Sequence, residues 1–166
     1  REARITGLLE HPNIVPVYAL GQDERGMPLL VMKRVEGRSW RQMLKADWEA
    51  WREETQEKSE RQLLPKALSR HLEIFMQVCQ AVAFSHSKGI VHRDLKPENV
   101  MIGSFGEVYL LDWGIAVCVD GPSKTLRLAD QVNGLAGTPA YMAPEMVYGD
   151  LARIDRRTDI YLLGAV

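Results

Sequence analysis

His92-Arg93-Asp94-Leu95-Lys96-Pro97-Glu98-Asn99-Val100-Met101 is the stretch from which the rest of the chain is read. It sets an acid, a cation and an amide on one loop: Asp94, then Lys96, then Asn99. An apolar pair follows, and a second acid, Asp112, stands just past the next apolar run. Phosphoryl transfer uses these groups. One carboxylate receives a hydroxyl proton, an ammonium neutralises a phosphate, and an amide and a carboxylate share a metal ion. The alternative reading of the same run is a polar surface loop.

Working outward, the chain has 166 residues, enough for one domain with a sizeable core. Its hydrophobic content of 46% and charged content of 26% are those of an ordinary globular protein. The formal net charge is -1, so no basic field favours nucleic acid or an anionic membrane surface. Cys79 and Cys118 have no ligand-like spacing and read as free thiols of a reducing compartment. No signal peptide and no bilayer-spanning apolar run is present, so membrane contact is not expected within this stretch. A cytoplasmic location follows for it, and a membrane anchor elsewhere in a longer protein stays open. Both ends read as cut. Residues 159–166 stop inside an apolar helical segment, and residues 1–4 start as though already within a helix.

Residues 2–10 read as the tail of a helix with Ile5, Leu8 and Leu9 on its apolar face, stopped by His11-Pro12-Asn13. Residues 14–20 are a β-rich run, and Leu29-Leu30-Val31-Met32 reads as a buried strand. Residues 40–45 predict a short helix. Residues 46–64 predict a charged helical insertion, with Glu54–Lys58 and Glu57–Arg61 at helix-supporting spacing. Trp48 and Trp51 fall on one side of it. That side is either a solvated helix face or a docking surface for a partner protein, since tryptophans are favoured anchors. Leu68, Leu72, Phe75, Met76, Cys79, Val82, Ala83 and His86 keep a helical period and predict a long buried helix, with Met76 and Cys79 in the core. Lys88-Gly89 ends it. Residues 100–102 and 108–111 predict two strands joined at Gly103-Ser104-Phe105-Gly106, and residues 153–166 open another helix.

These segments resemble a protein kinase. EHPNIV, a hinge, HRDLKPEN, DWG, GTPAYMAPE and DIYLLG occur in that family's order. The phrases FGEVYLLDWGIA and GTPAYMAPE are similar to bacterial serine/threonine kinases of the eukaryotic-like type. The resemblance implies a truncated α+β two-lobe fold, the end of a small lobe plus the upper part of a helical large lobe. Residues 1–36 would be the small-lobe part and residues 37–166 the incomplete large lobe. It also implies transfer of the ATP γ-phosphate, with Mg²⁺, to Ser/Thr hydroxyls of proteins.

Residue by residue, the resemblance makes Asp94 the catalytic base and Lys96 the cation on the γ-phosphate, with a Lys there pointing to Ser/Thr substrates. Asn99 and Asp112 would hold Mg²⁺, a hard cation suited to oxygen ligands. Glu2 would face the phosphate-binding Lys, Met32 would guard the back pocket, Val35 would offer hinge hydrogen bonds, Ser39 would lie near the ribose, and Met101 would floor the adenine site. Lys33 stands where many relatives carry an acid. His92 would pack on Trp113, which replaces the usual Phe and carries an indole N–H that needs a partner if buried. Arg93 would receive a loop phosphate, with Thr125 the candidate hydroxyl. Thr138 would bridge Asp94 and Lys96, Glu145 would pair with an Arg farther along, and Asp159 would brace the catalytic-loop backbone. No glycine-rich loop and no strand Lys occurs before Glu2, so this stretch alone is expected to be inactive or nearly so. Two competing readings are a pseudokinase scaffold, against which Asp94, Lys96, Asn99 and Asp112 argue, and a small-molecule kinase, against which GTPAYMAPE argues.

Overall fold

The computed structural model describes residues 6–55, 63–120 and 136–166; Glu2 and Thr125 lie outside them. Two strands, β1 (Val17–Gln22) and β2 (Pro28–Met32), form an antiparallel hairpin with a bulge between Val17 and Ala19. Its turn is closed by Asp23, whose carboxylate accepts from the Arg25 and Met27 N–H groups at 2.9 and 2.8 Å. Strand β2 is not the buried strand expected of Leu29-Leu30-Val31-Met32. Leu29 and Val31 are exposed, because nothing among the described residues packs on that face.

Residues 33–36 lead from β2 into β3 (Gly37–Ser39), which pairs with β5 (Val100–Gly103), itself paired with β6 (Val108–Leu110). Gly37 is needed for close approach: a Cβ there would sit 1.9 Å from the Ile102 carbonyl oxygen. Asn13-Ile14-Val15 lies along the far side of β6 through an isolated parallel bridge from Ile14 to Leu110. A second pair, β4 (Ile90–Val91) with β7 (Val117–Cys118), brings the two ends of the functional segment together.

Helix α1 (Trp40–Thr55) corrects an expectation. The short helix and the first half of the charged insertion are one continuous helix of 16 residues. The change from mixed to strongly charged composition at Ala46 marks a change of solvation and not a break in the backbone. No Gly or Pro lies within residues 40–55 to interrupt it. The Glu54–Lys58 and Glu57–Arg61 pairs involve residues outside those described.

Helix α2 (Leu63–Ser87) is long, and the predicted face is buried only in part: Val82 and His86 are buried and Phe75 packs against the core. Ile74, Val78, Ala81, Val82 and Ser85 are buried, whereas Leu68, Leu72 and Met76 are exposed, Met76 by 59%. Cys79 is half-buried against the core. The helix carries two apolar stripes. A 3.6-residue period fits both, and tertiary packing chooses between them. Gly89 ends α2 with φ +70°, a conformation that glycine adopts without strain.

After the 3₁₀ turn Pro97–Asn99 come β5 and β6, and then a short helix, α3 (Pro144–Val147). The last helix is α4 (Arg156–Ala165), which starts later than residue 153 because a 3₁₀ turn, Leu151–Arg153, precedes it. Asp155 caps α4: its carboxylate accepts the Arg157 N–H at 2.7 Å, and the Thr158 hydroxyl accepts the Asp155 N–H at 3.3 Å. One apolar core joins α1, α2, β5, β6 and α4 through Trp40, Val82, Leu95, Leu110, Trp113 and Leu162. Each such buried side chain stabilises by roughly 1.5–3 kcal/mol, so the loop bearing Leu95 is anchored from beneath.

Candidate active site

The end of α2 and strand β4 deliver residues 92–96 to the same edge that receives residues 111–114 from β6. The backbone turns sharply at both places, with Arg93 at φ 73° and Asp112 at φ 60°. Non-glycine residues pay for such angles with local strain, so surrounding bonds must hold them. For Arg93 the holder is Asp159 on α4. Its carboxylate is fully buried and accepts the His92 N–H at 2.8 Å, the Arg93 N–H at 2.9 Å and the His86 ring at 2.8 Å. His86 is thus a satisfied packing residue.

His92 is also fully buried. Its Nε2 lies 3.0 Å from the Leu111 carbonyl and its Nδ1 lies 3.2 Å from the Asp94 N–H. Burial pushes its pKa down, against the opposing pull of Asp159, the Leu111 carbonyl, Asp94 and Asp112. A neutral ring with the proton on Nε2 satisfies both contacts. That ring packs on Trp113 at a centroid distance of 4.5 Å. Trp113 is 0% exposed, and its indole N–H has no hydrogen-bond partner among the described residues.

Three side chains, Lys96, Thr138 and Asn99, converge on Asp94. Lys96 Nζ donates to Asp94 Oδ2 and to Thr138 Oγ1, both at 2.7 Å. The Thr138 hydroxyl donates to Asp94 Oδ1 at 2.8 Å. Asn99 Nδ2 donates to the Asp94 carbonyl at 2.8 Å and to Oδ2 at 3.1 Å. Burial alone would push the Asp94 carboxyl up. The hydrogen bonds from Lys96 and Thr138, the Lys96 charge and the Asn99 bond together outweigh it and hold the carboxyl below the ordinary carboxylate range. Asp94 is therefore ionised at neutral pH. Because Asn99 commits its Nδ2 to Asp94, the amide oxygen is the atom left for a cation.

Asp112 is exposed, and its Oδ1 accepts the Gly114 N–H at 3.3 Å. The Leu111 N–H donates to the Asn99 carbonyl at 2.9 Å, which sets Asp112 one residue from Asn99's backbone. Asn99 and Asp112 offer hard oxygen donors. Among the described residues no group of three His, Cys, Asp or Glu gathers to cage a metal. That donor set fits Mg²⁺, which keeps waters and takes substrate phosphate oxygens alongside one or two protein ligands.

Strand register brings further residues together. Ser39 stands opposite Met101, and Met101 opposite Tyr109, so the three form one row across β3, β5 and β6 on one face. Met32 ends β2 opposite Val17, and Val35 is half-buried in the segment between the sheets. Arg93 is 1% exposed, with Nη1 donating to the Ile115 carbonyl at 3.2 Å. Glu145 accepts the Thr158 hydroxyl at 2.6 Å, tying α3 to α4.

Two residues escaped the sequence reading. Asn13, read only as a turn residue, is buried; its Nδ2 donates to the Val108 carbonyl at 3.0 Å and to Gln77 at 2.9 Å, pinning the segment before β1 to β6 and α2. An uncharged amide after His-Pro gave no signal beyond turn chemistry. Tyr109 binds the Lys33 ammonium through its hydroxyl. A Tyr between two buried apolar neighbours was the one available hint.

A protein kinase domain family matches residues 1–166 of the chain. The chain is 38% identical over 180 residues to the serine/threonine-protein kinase PknD of Protochlamydia amoebophila, covering all of this chain and 17% of that protein. It is 36% identical over 185 residues to PknD of Chlamydia trachomatis serovar D, and 37% identical over 187 residues to PknD of Chlamydia muridarum. The chain covers 19% of each of those two proteins, so it spans under a fifth of the length of these relatives.

Proposed function

We propose, for a chain that belongs to the protein kinase domain family, that it carries the catalytic loop of a serine/threonine protein kinase. The observation that supports this most is the closed hydrogen-bond cluster of Asp94, Lys96, Thr138 and Asn99. Asp94 orients a substrate hydroxyl whose oxygen bonds to the γ-phosphorus as the bond to the β,γ-bridging oxygen breaks and ADP leaves. The hydroxyl proton passes to Asp94. A carboxylate held below the ordinary range is a weak base. Its work is therefore chiefly to orient, with the proton moving late, as a loose phosphoryl transition state allows. Lys96, already at Asp94, places a positive charge beside the transferring group. Mg²⁺ at Asn99 and Asp112 would neutralise charge on the β- and γ-phosphate oxygens.

Supporting roles follow the same reading. Met101 and Ser39 would sit under the nucleotide, with Met32 and Val35 at its adenine end and Glu2 pairing with a Lys of the full protein. Arg93 would meet a phosphate on Thr125. ATP is a cytoplasmic reactant, and we place this stretch there. The Trp48 and Trp51 rings, 4.8 Å apart, line a groove of about 680 Å³ with Leu44, Leu68 and His71; we read it as a docking surface for a protein partner.

The test is phosphorylation of Ser/Thr peptides by the full-length protein. Asp94→Asn should reduce turnover at least about 10²–10³-fold while ATP affinity changes little. Turnover surviving in Asp94→Asn would overturn the proposal.

A further inference from the structure

The segment between β2 and β3 is tied at both ends and bare in the middle. Upstream, the Lys33 N–H donates to the Pro16 carbonyl at 2.9 Å. Downstream, the Glu36 carbonyl accepts the Ser104 N–H at 3.1 Å and the Ser104 hydroxyl at 3.0 Å. Among the described residues, the backbone groups of Arg34 and Val35 between these ties make no backbone hydrogen bond. They are the donors and acceptors left to meet a flat heterocycle.

A third tie is made by side chains. Lys33 Nζ donates to the Tyr109 hydroxyl, and the ammonium lies 4.5 Å from the centre of that ring. Tyr109 is buried on β6 and ends the row that runs from Ser39 through Met101. Its hydroxyl is a fixed point on β6, and Lys33 is the long arm that reaches it. The Tyr109 hydrogen bond raises the Lys33 pKa despite desolvation, with smaller contributions from the Tyr109, Glu107 and Tyr18 charges, so the arm stays cationic.

We propose that Lys33 and Tyr109 form a latch that positions the hinge backbone at Arg34 and Val35 for the adenine ring. Lys33 is a positioning residue whose side chain acts through this backbone. The inference rests on the kinase reading above. A segment tied only at its ends samples conformations that cannot present both Arg34 and Val35. Apparent affinity falls in proportion to the fraction of hinge held ready. A charge-assisted hydrogen bond is strong enough to shift that fraction severalfold.

The experiment is steady-state kinetics of the full-length protein with Lys33→Met, Tyr109→Phe, the double variant and Lys33→Arg. The expected result is a rise in KM for ATP of about three- to tenfold for each of the first two, with kcat changed far less. The double variant should be no worse than the weaker single, and Lys33→Arg should recover most of the loss. Adenosine, which has no phosphates, should weaken as a competitive inhibitor by the same factor as ATP. Tyr109→Phe removes a single oxygen and carries the test by itself if Lys33→Met fails to fold. Unchanged KM and adenosine inhibition in Tyr109→Phe, or additive effects in the double variant, overturn the latch. Absence of ATP-dependent turnover in the unsubstituted protein overturns the kinase reading instead.

Discussion

Asp159 lies in helix α4, distant in sequence from the loop it supports, yet the geometry of Arg93 depends on it. Its two oxygens take two consecutive backbone N–H groups and the His86 ring. Replacing it by Asn keeps the volume but offers one acceptor oxygen and turns an NH₂ donor toward groups that also donate. A buried N–H left without an acceptor costs about 1–3 kcal/mol, and Arg93 would lose what holds it at φ 73°. Asp159→Asn in the full-length protein should therefore lose at least about 1–3 kcal/mol in denaturant unfolding, because at least one of these buried N–H groups loses its acceptor. Peptide phosphorylation should fall at least tenfold even at temperatures where the variant is folded. Wild-type stability in this variant would show that the loop holds its shape without the carboxylate. The contrast with Trp113 is instructive at this same scale. Its ring is fully buried with an unpartnered N–H among the described residues, so it is held by packing where Asp159 holds by hydrogen bonds.

Elements were legible in the sequence where a polar signature marked them, and less so where only apolar period did. The turn at Gly103-Ser104-Phe105-Gly106 between strands β5 and β6 and the stop at Gly89 follow from local chemistry that allows few alternatives, whereas the 3₁₀ turn Pro97–Asn99 lay unmarked inside the loop. Two helices were misread for different reasons. In α2 the predicted face held at Phe75, Cys79, Val82 and His86 but not at Leu68, Leu72 and Met76; Ile74 and Val78 are buried instead, and the contact partner that decides this is remote in sequence. In α1 a change of composition was mistaken for a boundary. The helix runs unbroken through Ala46 to Thr55, with Trp40 buried at its start, where its indole N–H donates to His71 Nδ1 at 2.9 Å. This continuity can be tested directly. Ala46 is exposed, so Ala46→Pro removes no packing, yet proline in a helix interior costs about 3 kcal/mol or more. The expected outcome is a loss of that size in denaturant unfolding, together with weaker far-UV helical ellipticity. No change in either would mean that α1 ends near Lys45.

At the scale of the molecule, the site is assembled from three distant parts: residues 92–99 after α2, Asp112 after β6, and Thr138 before α3. The pairings β4–β7 and β5–β6 bring the first two together, and the Thr138 hydroxyl closes the third onto Asp94. The sequence pointed to the residues proposed to carry the chemistry, because acids, amide and ammonium stand at family spacing. It pointed to Asp159 and Thr138 as supports but not to Asn13 pinning the first segment to β6, or to Lys33 reaching Tyr109, since such contacts have no local pattern. The same division bears on activity. The 166-residue stretch contains the proposed base, the loop ammonium and both candidate metal ligands, but no glycine-rich loop and no strand Lys ahead of Glu2. On the proposed kinase reading, the Lys that would pair with Glu2 is not within it. Each lost phosphate donor costs about 10²–10³-fold in turnover, and positioning of the γ-phosphate depends on all of them together. The stretch on its own should thus phosphorylate a Ser/Thr peptide at least about a hundredfold more slowly than the full-length protein under the same ATP and Mg²⁺. Circular dichroism of the stretch, compared with the helix content of α1, α2 and α4, separates failure to fold from failure to catalyse. Comparable rates from the folded stretch, abolished by Asp94→Asn, would show that the loop cluster and Asp112 suffice for transfer and that the upstream grip serves affinity alone.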